Sequence, residues 1–199
     1  FTISSEMSSN SNNARIAADE LGNVFVIDSR NLSTGGGLLV VAAAEMVKQG
    51  LSAEEIVKNI NELIPRVDAS FVIDNLEYLY KGGRCSALAM FGANLLKLKP
   101  CIQVKDGKMD VRKKFRGKFD AVLREYIDEQ LSDPDDLVTD RVFITHAGCD
   151  PQLVSSLREY VESRGIFKEV FVTRAGCTVS SHCGANTLGI LFIRKSPLK

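Results

Sequence analysis

The sequence predicts an α/β fold with two lobes. Two observations support this fold class. Short apolar segments rich in β-branched residues alternate with longer segments of helical character, and a strong hairpin signal lies in the second half of the chain. Such alternation is typical of sheets with helices packed on their faces. We expect a three-layer parallel-sheet lobe, incomplete here, over residues 1–80, and a two-layer mixed-sheet lobe over residues 81–199.

The first lobe is predicted from the order β-α-β-α-α-β. Its strands are short apolar segments, as buried parallel strands are, and its helices begin after polar or glycine-containing segments. The predicted strands lie at residues 1–3, 24–29 and 69–73. The predicted helices lie at residues 14–21, 38–47 and 52–63.

The second lobe is predicted to begin near Gly82-Gly83. Asp106-Gly107 is a strong two-residue hairpin signal, and β-α-β elements follow it. The sheet is therefore expected to be mixed, with helices on one face. The predicted strands lie at residues 98–104, 108–111, 141–146, 169–173 and 189–194. The predicted helices lie at residues 119–131 and 151–164.

The composition narrows the class of function. Lys plus Arg and Asp plus Glu balance at 25 each, which argues against a nucleic-acid binder, because phosphate recognition needs a basic excess. No apolar run approaches the roughly 20 residues of a membrane span. The five cysteines contain no C-x-x-C pair, so neither a disulfide framework nor a zinc site is expected. This cysteine usage indicates a cytoplasmic setting.

The first polar segment is a candidate anion site. Ser4 and Ser5 follow a predicted strand and precede a predicted helix. Hydroxyls and free N–H groups of a first helical turn converge at such a place. The alternative is a helix N-cap, for which serine is a preferred residue. Both interpretations remain open at this stage.

Two glycine-containing segments allow simpler explanations than ligand binding. Residues 33–37 have neither the G-x-G-x-x-G spacing nor the lysine of nucleotide-binding loops, so we interpret them as a tight turn from strand to helix. Gly82 and Gly83 are explained as a helix C-cap. Arg84 beside them is a possible anion ligand, but we favour a role in tying the lobes together.

The chain has only two histidines, His146 and His182. His146 ends an apolar strand and is expected to be an interior or strand-edge residue. His182 lies among small residues, Ser180 to Thr187, where an imidazole can reach a ligand. No Ser-His-Asp order or nucleophile elbow is present, and we predict no catalytic residue and no metal ligand.

One dense basic cluster stands out, with phenylalanines interleaved. Most such clusters are solvated faces, but aromatic residues among the charges favour a docking surface for an acidic partner. The candidate docking residues are Arg112, Lys113, Lys114 and Arg116.

These segments together resemble the DegV family of fatty-acid-binding proteins, which serve bacterial fatty acid kinases. The match rests on the order and spacing of four stretches along the whole chain. They are residues 3–8, Asp28-Ser29 with residues 33–37, residues 76–86, and residues 176–184. The resemblance implies a two-lobed α/β fold with a fatty acid between the lobes. It also implies that family members carry roughly 80 further residues upstream, within the usual size range of a domain.

The resemblance also implies a division of labour. The carboxylate would be held by Ser5, with Ser4 beside it, and by His182. The protein would be a lipid-binding subunit without catalysis or cofactor, presenting the carboxylate to a separate kinase. An apolar site would hold the acyl chain, and apolar residues are abundant at residues 38–47, 88–98 and 188–193. No stable membrane insertion and no nucleic-acid partner are expected.

Two departures from the family pattern concern the loops. Ser8-Ser9-Asn10 replaces Ser-Gly-Thr, and Cys183 to Asn186 replace the residues of a usual His-x-Gly-Pro-Gly loop.

The alternative function is a small-molecule (ketone or acyl) binding enzyme subunit related to dihydroxyacetone kinase, in which His182 would hold a ketone. A further alternative is an interaction domain with an empty cleft. A long apolar cavity favours the lipid carrier, and a small polar one favours the enzyme.

Overall fold

A computed structural model describes residues 1–84 and 98–198 of the chain. These residues form one six-stranded mixed sheet with seven α-helices, which confirms the α/β fold class. The strands are β1 (Val67–Ile73), β2 (Lys99–Lys105), β3 (Lys108–Phe115), β4 (Arg141–Ala147), β5 (Glu169–Arg174) and β6 (Thr187–Ile193). The helices are α1 (Asn10–Leu21), α2 (Ser33–Lys48), α3 (Ala53–Leu63), α4 (Glu77–Gly82), α5 (Phe119–Gln130), α6 (Pro151–Ser163) and α7 (Cys177–Cys183). Residues 88–97 of the predicted apolar segment 88–98 lie outside the described residues.

The sheet has the strand order β3-β2-β1-β6-β4-β5. The pair β4–β5 is parallel and the other four pairs are antiparallel. The prediction that residues 69–73 form a parallel strand is therefore wrong, because β1 is antiparallel to both of its neighbours. Strand direction depends on which segments dock alongside, and β6 comes from the other end of the chain. The apolar pattern of residues 69–73 carries no information about those neighbours.

Helices cover both faces of the sheet. Along β1, Val67, Ala69 and Ile73 pack into an apolar cluster with α2 and α3, whereas Val72 packs with α5 and α6. This alternation follows from the two-residue period of a strand. The helices of residues 81–199 that pack on the sheet, α5 and α6, share one face, as predicted, and α2 and α3 cover the other. The division of the chain into lobes near residue 80 stays a prediction.

The strands predicted at residues 1–3 and 24–29 are reduced to one parallel bridge. Thr2 and Asp28 form it, with the N–H of Thr2 donating to the Ile27 carbonyl at 3.0 Å. Val24 and Phe25 are about half exposed. A strand requires a continuous ladder of partners, and among the described residues this pairing extends over a single bridge. The predicted extent of both strands was therefore wrong.

Helix α2 begins earlier than predicted, so its glycines lie within the first turns. At Gly35 a β-carbon would overlap with the Asn31 side chain and press against the β-carbon of Ala69. The glycine therefore lets α2 approach β1 closely. This close approach, rather than a turn before the helix, explains part of the glycine run.

Tyr126 of α5 bridges two central strands on the face of the sheet that α5 and α6 cover. Its buried hydroxyl donates to the Ser70 carbonyl at 2.8 Å and accepts from the Ile190 N–H at 3.0 Å. Burial raises the pKa of Tyr126 well above its usual value, so the hydroxyl stays protonated. The tyrosine thus bridges backbone groups of β1 and β6.

Candidate functional site

A mainly apolar cavity of about 220 Å³ lies between α4, α7 and the segment that opens the chain. Its apolar wall includes Ile3, Met7, Leu32, Phe71, Leu79 and Val179. Its polar wall includes Ser8, Arg84 and His182. Strands β1 and β3 contribute Phe71 and Met109, and helices α4 and α7 contribute Leu79 and Val179. Both halves of the sequence therefore form a single site.

A smaller apolar space of about 40 Å³ adjoins this cavity. The two share Leu32, Phe71, Val179 and Cys183 as lining residues. The smaller space reaches β6 at Gly189, where a β-carbon would overlap with the Ser70 carbonyl. The combined site therefore has a polar end near α4 and α7 and an apolar end against the sheet.

His182 lies at the polar end, in the last turn of α7, where its imidazole packs on Gly82. A β-carbon at Gly82 would overlap with Nδ1 of His182. A second close contact joins α4 and α7. Gly184 directly follows α7, and a β-carbon there would overlap with the ring of Tyr78 on α4. The two glycines let α4 and α7 pack closely, and this packing holds the histidine at the cavity. The sequence explained Gly82 only as part of a helix C-cap and did not indicate that it makes room for His182.

Arg84 also lines the cavity, beside His182. Its Nη1 donates to the carbonyl of Gly82 at 2.9 Å, so the guanidinium is held by the same helix end that supports the histidine. A role of Arg84 in tying the lobes together stays a prediction. Arg84 follows two residues after Gly82, the glycine against which His182 packs, and this packing is not evident from the sequence.

Ser4 and Ser5 do not line the cavity, although their neighbours Ile3, Met7 and Ser8 do. Ser4 is fully buried, and its hydroxyl donates to the Gly107 carbonyl at 2.7 Å. Ser5 is exposed. Contact of either serine with a ligand stays a prediction.

Asp28 fixes the backbone of Ser5. Its Oδ1 accepts from the N–H of Ser5 at 3.2 Å and from the N–H of Arg30 at 3.0 Å. Partial burial tends to raise the pKa of Asp28, but hydrogen bonds from Ser5 and Arg30 outweigh it and hold the pKa below its usual value. The carboxylate is therefore charged at neutral pH and orders the segment around Ser5.

His146 belongs to a different environment. It touches the wall of the smaller space, but it lies opposite Leu188 in the β4–β6 pair, and Leu188 packs with α5 and α6. Paired residues of antiparallel strands share a face, so the imidazole lies on the face away from α2. Burial, with a smaller effect of Arg174, lowers the pKa of His146.

The basic cluster lies at the end of β3 and on Arg116, which follows the strand, and it is paired in part with α5. Lys113 is paired with Glu129 at 2.5 Å and with Glu125 at 3.5 Å, and Arg112 donates to Gln130 at 2.9 Å. Arg116 is exposed. Part of this charge is thus neutralised within the chain, and docking of a partner on Arg112, Lys113, Lys114 and Arg116 stays a prediction.

Residues 1–84 and 98–198 contain neither a membrane-spanning helix nor a group of metal-binding side chains. No helix in these ranges is both long and apolar enough to cross a membrane. Within the same ranges, no three His, Cys, Asp or Glu side chains are grouped so that they could hold a metal ion.

Comparison with known proteins gives consistent results. A sequence profile of the DegV family, a family described as uncharacterised proteins, matches residues 1–195. A DegV domain-containing protein of Caldanaerobacter subterraneus is 33% identical over 198 residues, which are 97% of this chain and 69% of the relative. A fatty acid-binding protein of Thermotoga maritima is 31% identical over 194 residues, covering 95% of this chain and 66% of the relative.

Solved structures share the fold. A fatty-acid-binding DegV family protein from Thermus thermophilus superposes with a TM-score of 0.87 at 29% identity, covering 96% of this chain and 69% of that one. DegV of Bacillus subtilis, a fatty acid binding protein, superposes with a TM-score of 0.80 at 29% identity, covering 96% and 68%. These relatives are described as binding proteins rather than as enzymes. The sequence profile and the relatives agree over nearly the whole chain, which therefore belongs to the DegV family.

Proposed function

We propose that this chain binds a long-chain fatty acid and presents its carboxylate to a separate fatty acid kinase. The observation that carries the proposal is the apolar cavity with His182 and Arg84 together at its polar end. An amphiphile with one anionic head group matches this distribution of apolar and polar groups. The fatty-acid-binding relatives support the same assignment.

The apolar wall accounts for affinity. Burial of about 0.8 kcal/mol per methylene gives on the order of 10 kcal/mol for a chain of about sixteen carbons, before the costs of association. Pockets for drug-sized ligands span roughly 300–1,000 Å³. The two spaces lined by the described residues, about 220 and 40 Å³, are smaller, so they would enclose the first part of an acyl chain.

The polar end accounts for head-group recognition. Nδ1 of His182 packs on Gly82, which leaves Nε2 as the nitrogen available to a ligand. Arg84 adds a permanently charged guanidinium, whose hydrogen bonds to carboxylates are strong because both groups are charged. Ser8 adds a hydroxyl, and contact of Ser5 with the carboxylate stays a prediction.

Presentation to a kinase requires a docking surface as well as a bound acid. A fatty acid kinase B3 protein of Streptococcus pneumoniae, loaded with linoleic acid, shares the fold with a TM-score of 0.82, but at 21% identity the likeness concerns the fold alone. We assign docking to the basic cluster on β3, and we expect the chain to act in the cytoplasm. Charge reversal at Arg112 and Arg116 should then lower acyl phosphate formation by a bacterial fatty acid kinase without changing fatty acid affinity.

The rival function, a small ketone-binding enzyme subunit, fits the cavity less well. A ketone of a few carbons needs a small polar pocket, whereas the wall here is mainly apolar. The lipid carrier is therefore the better-supported function.

Calorimetric titration of the delipidated protein with palmitate and with its methyl ester tests the proposal. We expect binding of the acid, weaker binding of the ester, and a loss of at least tenfold in affinity in His182→Ala and Arg84→Ala. Lys81→Ala is the matched control, because Lys81 lies on α4 next to Gly82 but pairs with the exposed Glu77. A wild-type protein that binds no fatty acid would contradict the proposal.

A further inference from the structure

Ser4 is the centre of the hydrogen bonds that shape the loop before α1. Its N–H donates to the Asn31 carbonyl at 2.9 Å, and its carbonyl accepts from the N–H groups of Met7 at 3.0 Å and Ser8 at 3.2 Å. Its hydroxyl accepts from the Glu6 N–H at 3.2 Å. With the bond to Gly107, every polar group of Ser4 is engaged and the residue is fully buried.

The hydroxyl of Ser4 has a single proton to donate. The Gly107 carbonyl receives it at 2.7 Å. In this arrangement Ser4 cannot donate to a carboxylate as well. Three serines of this loop are not buried, namely Ser5, Ser8 and Ser9. Ser5 is held by Asp28 through its backbone N–H, and Ser8 lines the cavity.

The turn that receives this bond is the β2–β3 hairpin. Gly107 has a φ of +81°, and a β-carbon there would lie 2.6 Å from Oγ of Ser4 and 3.0 Å from Nε of Arg30. The guanidinium of Arg30 donates to the carbonyl of Asp106. Both contacts bring the turn against the loop with no space for a side chain between them.

Charge pairs add to the same contact. Oε1 of Glu6 lies 3.6 Å from Nη1 of Arg30, and its Oε2 lies 3.4 Å from Nζ of Lys108. One carboxylate therefore joins the loop to the segment after Asp28 and to the start of β3. Exposed pairs of this kind contribute little individually. The buried hydrogen bond of Ser4 is therefore the principal link between loop and hairpin.

We propose that Ser4 is a positioning residue, through which the turn of the β2–β3 hairpin holds Ser5 and Ser8 in the geometry that receives a carboxylate. This inference rests on the proposed fatty acid binding. It assigns the hairpin turn, about a hundred residues along the chain, a part in the head-group site. The ligand contacts are then made by Ser5 and Ser8 rather than by Ser4.

Two glycine variants test the proposal. Gly107→Ala introduces a methyl group against Ser4, whereas Gly50→Ala introduces one at a φ of +84° with no atom within 4 Å. Both carry the strain of alanine in the left-handed region, so Gly50→Ala is the matched control. Ser4→Ala removes the hydroxyl, and Arg30→Gln loosens the turn should Gly107→Ala fail to fold.

The measurements are the affinity for palmitate and the ¹³C signal of [1-¹³C]palmitate bound to the protein. We expect Gly107→Ala and Ser4→Ala to lower affinity at least tenfold and to shift the carboxyl signal, while Gly50→Ala retains both wild-type values. Unchanged affinity and signal in Gly107→Ala, or in Arg30→Gln in its place, would overturn the positioning role. An effect in Ser4→Ala alone would make Ser4 a direct contact and overturn it too. Absence of binding in the wild type and Gly50→Ala would instead refute the proposed function.

Discussion

The imidazole of His182 occupies the space in which Gly82 would carry a side chain. These residues are far apart in sequence and meet because α4 and α7 pack together. The reciprocal contact of Gly184 with Tyr78 brings the same helices together at a second point. The histidine is therefore held at the cavity by the absence of a side chain on the neighbouring helix.

Replacement of Gly82 by alanine should displace His182. We expect Gly82→Ala to lower palmitate affinity at least tenfold, about 1.4 kcal/mol, as measured by calorimetry. Gly37→Ala is the control, because a β-carbon there makes only an ordinary contact at 3.9 Å with Thr34. Alanine favours helix more than glycine does, so Gly37→Ala should unfold at or above the wild-type temperature. A thermal unfolding curve of Gly82→Ala checks that the variant is folded at the temperature of the titration. Equal affinity in the two variants would show that His182 does not hold the ligand.

Asp28 should make stability depend on pH. Its pKa in the folded state lies below the usual value of 3.8, so the charged form stabilises the fold, fully so above pH 3.8. This stabilisation is lost as pH falls through the lower folded pKa. We expect urea unfolding to show Asp28→Asn less stable than the wild type near pH 7, with the difference narrowing below pH 3.8.

Asp19→Asn, at an exposed position of α1, controls for the loss of one carboxylate. A difference between Asp28→Asn and the wild type that stays constant down to pH 2 would contradict the assigned hydrogen bonds.

Tyr126 should contribute to stability but not to binding. Tyr126→Phe leaves the buried N–H of Ile190 and the carbonyl of Ser70 without their bridging hydroxyl. We expect a loss of about 1–3 kcal/mol in the free energy of unfolding, with palmitate affinity retained. Tyr160→Phe removes a partly buried bond to Asp128, which water can replace, and should cost less. Similar losses in both variants would argue against the bridge.

Cys183 should be protected by ligand. It is buried and borders both apolar spaces, and burial raises its pKa, whereas Cys177 on the same helix is exposed. We expect N-ethylmaleimide to modify Cys177 first, and bound palmitate to slow modification of Cys183 alone, as followed by peptide mass spectrometry. Protection of neither cysteine, or of both equally, would contradict a ligand in this cavity.

Elements with a strong local pattern were predicted closely. Strand β4 and helix α6 differ from their predicted bounds by one residue, because hydrophobic periodicity and the Pro151 helix start are local signals. The segments at residues 1–3 and 24–29 were predicted less well, since an apolar run becomes a strand only where a partner extends its ladder.

Some residues of the candidate site could likewise be predicted from the local sequence, and others could not. His182 could be selected from the sequence because it is one of two histidines and lies among small residues. Arg84 and Gly82 could not be assigned to the same site, because their effect depends on the packing of α4 on α7. Ser4 and Ser5 are adjacent in sequence, yet one is buried against Gly107 and the other is exposed.

The sequence by itself determined the α/β class, the mixed character of the sheet formed by residues 81–199 and the candidate residues of the proposed head-group site, because propensity and periodicity act over a few neighbouring residues. Only the tertiary structure decided the direction of β1, the packing of His182 on Gly82 and the use of the Ser4 proton. These depend on contacts between residues tens to a hundred positions apart, and such contacts leave no local pattern in the sequence.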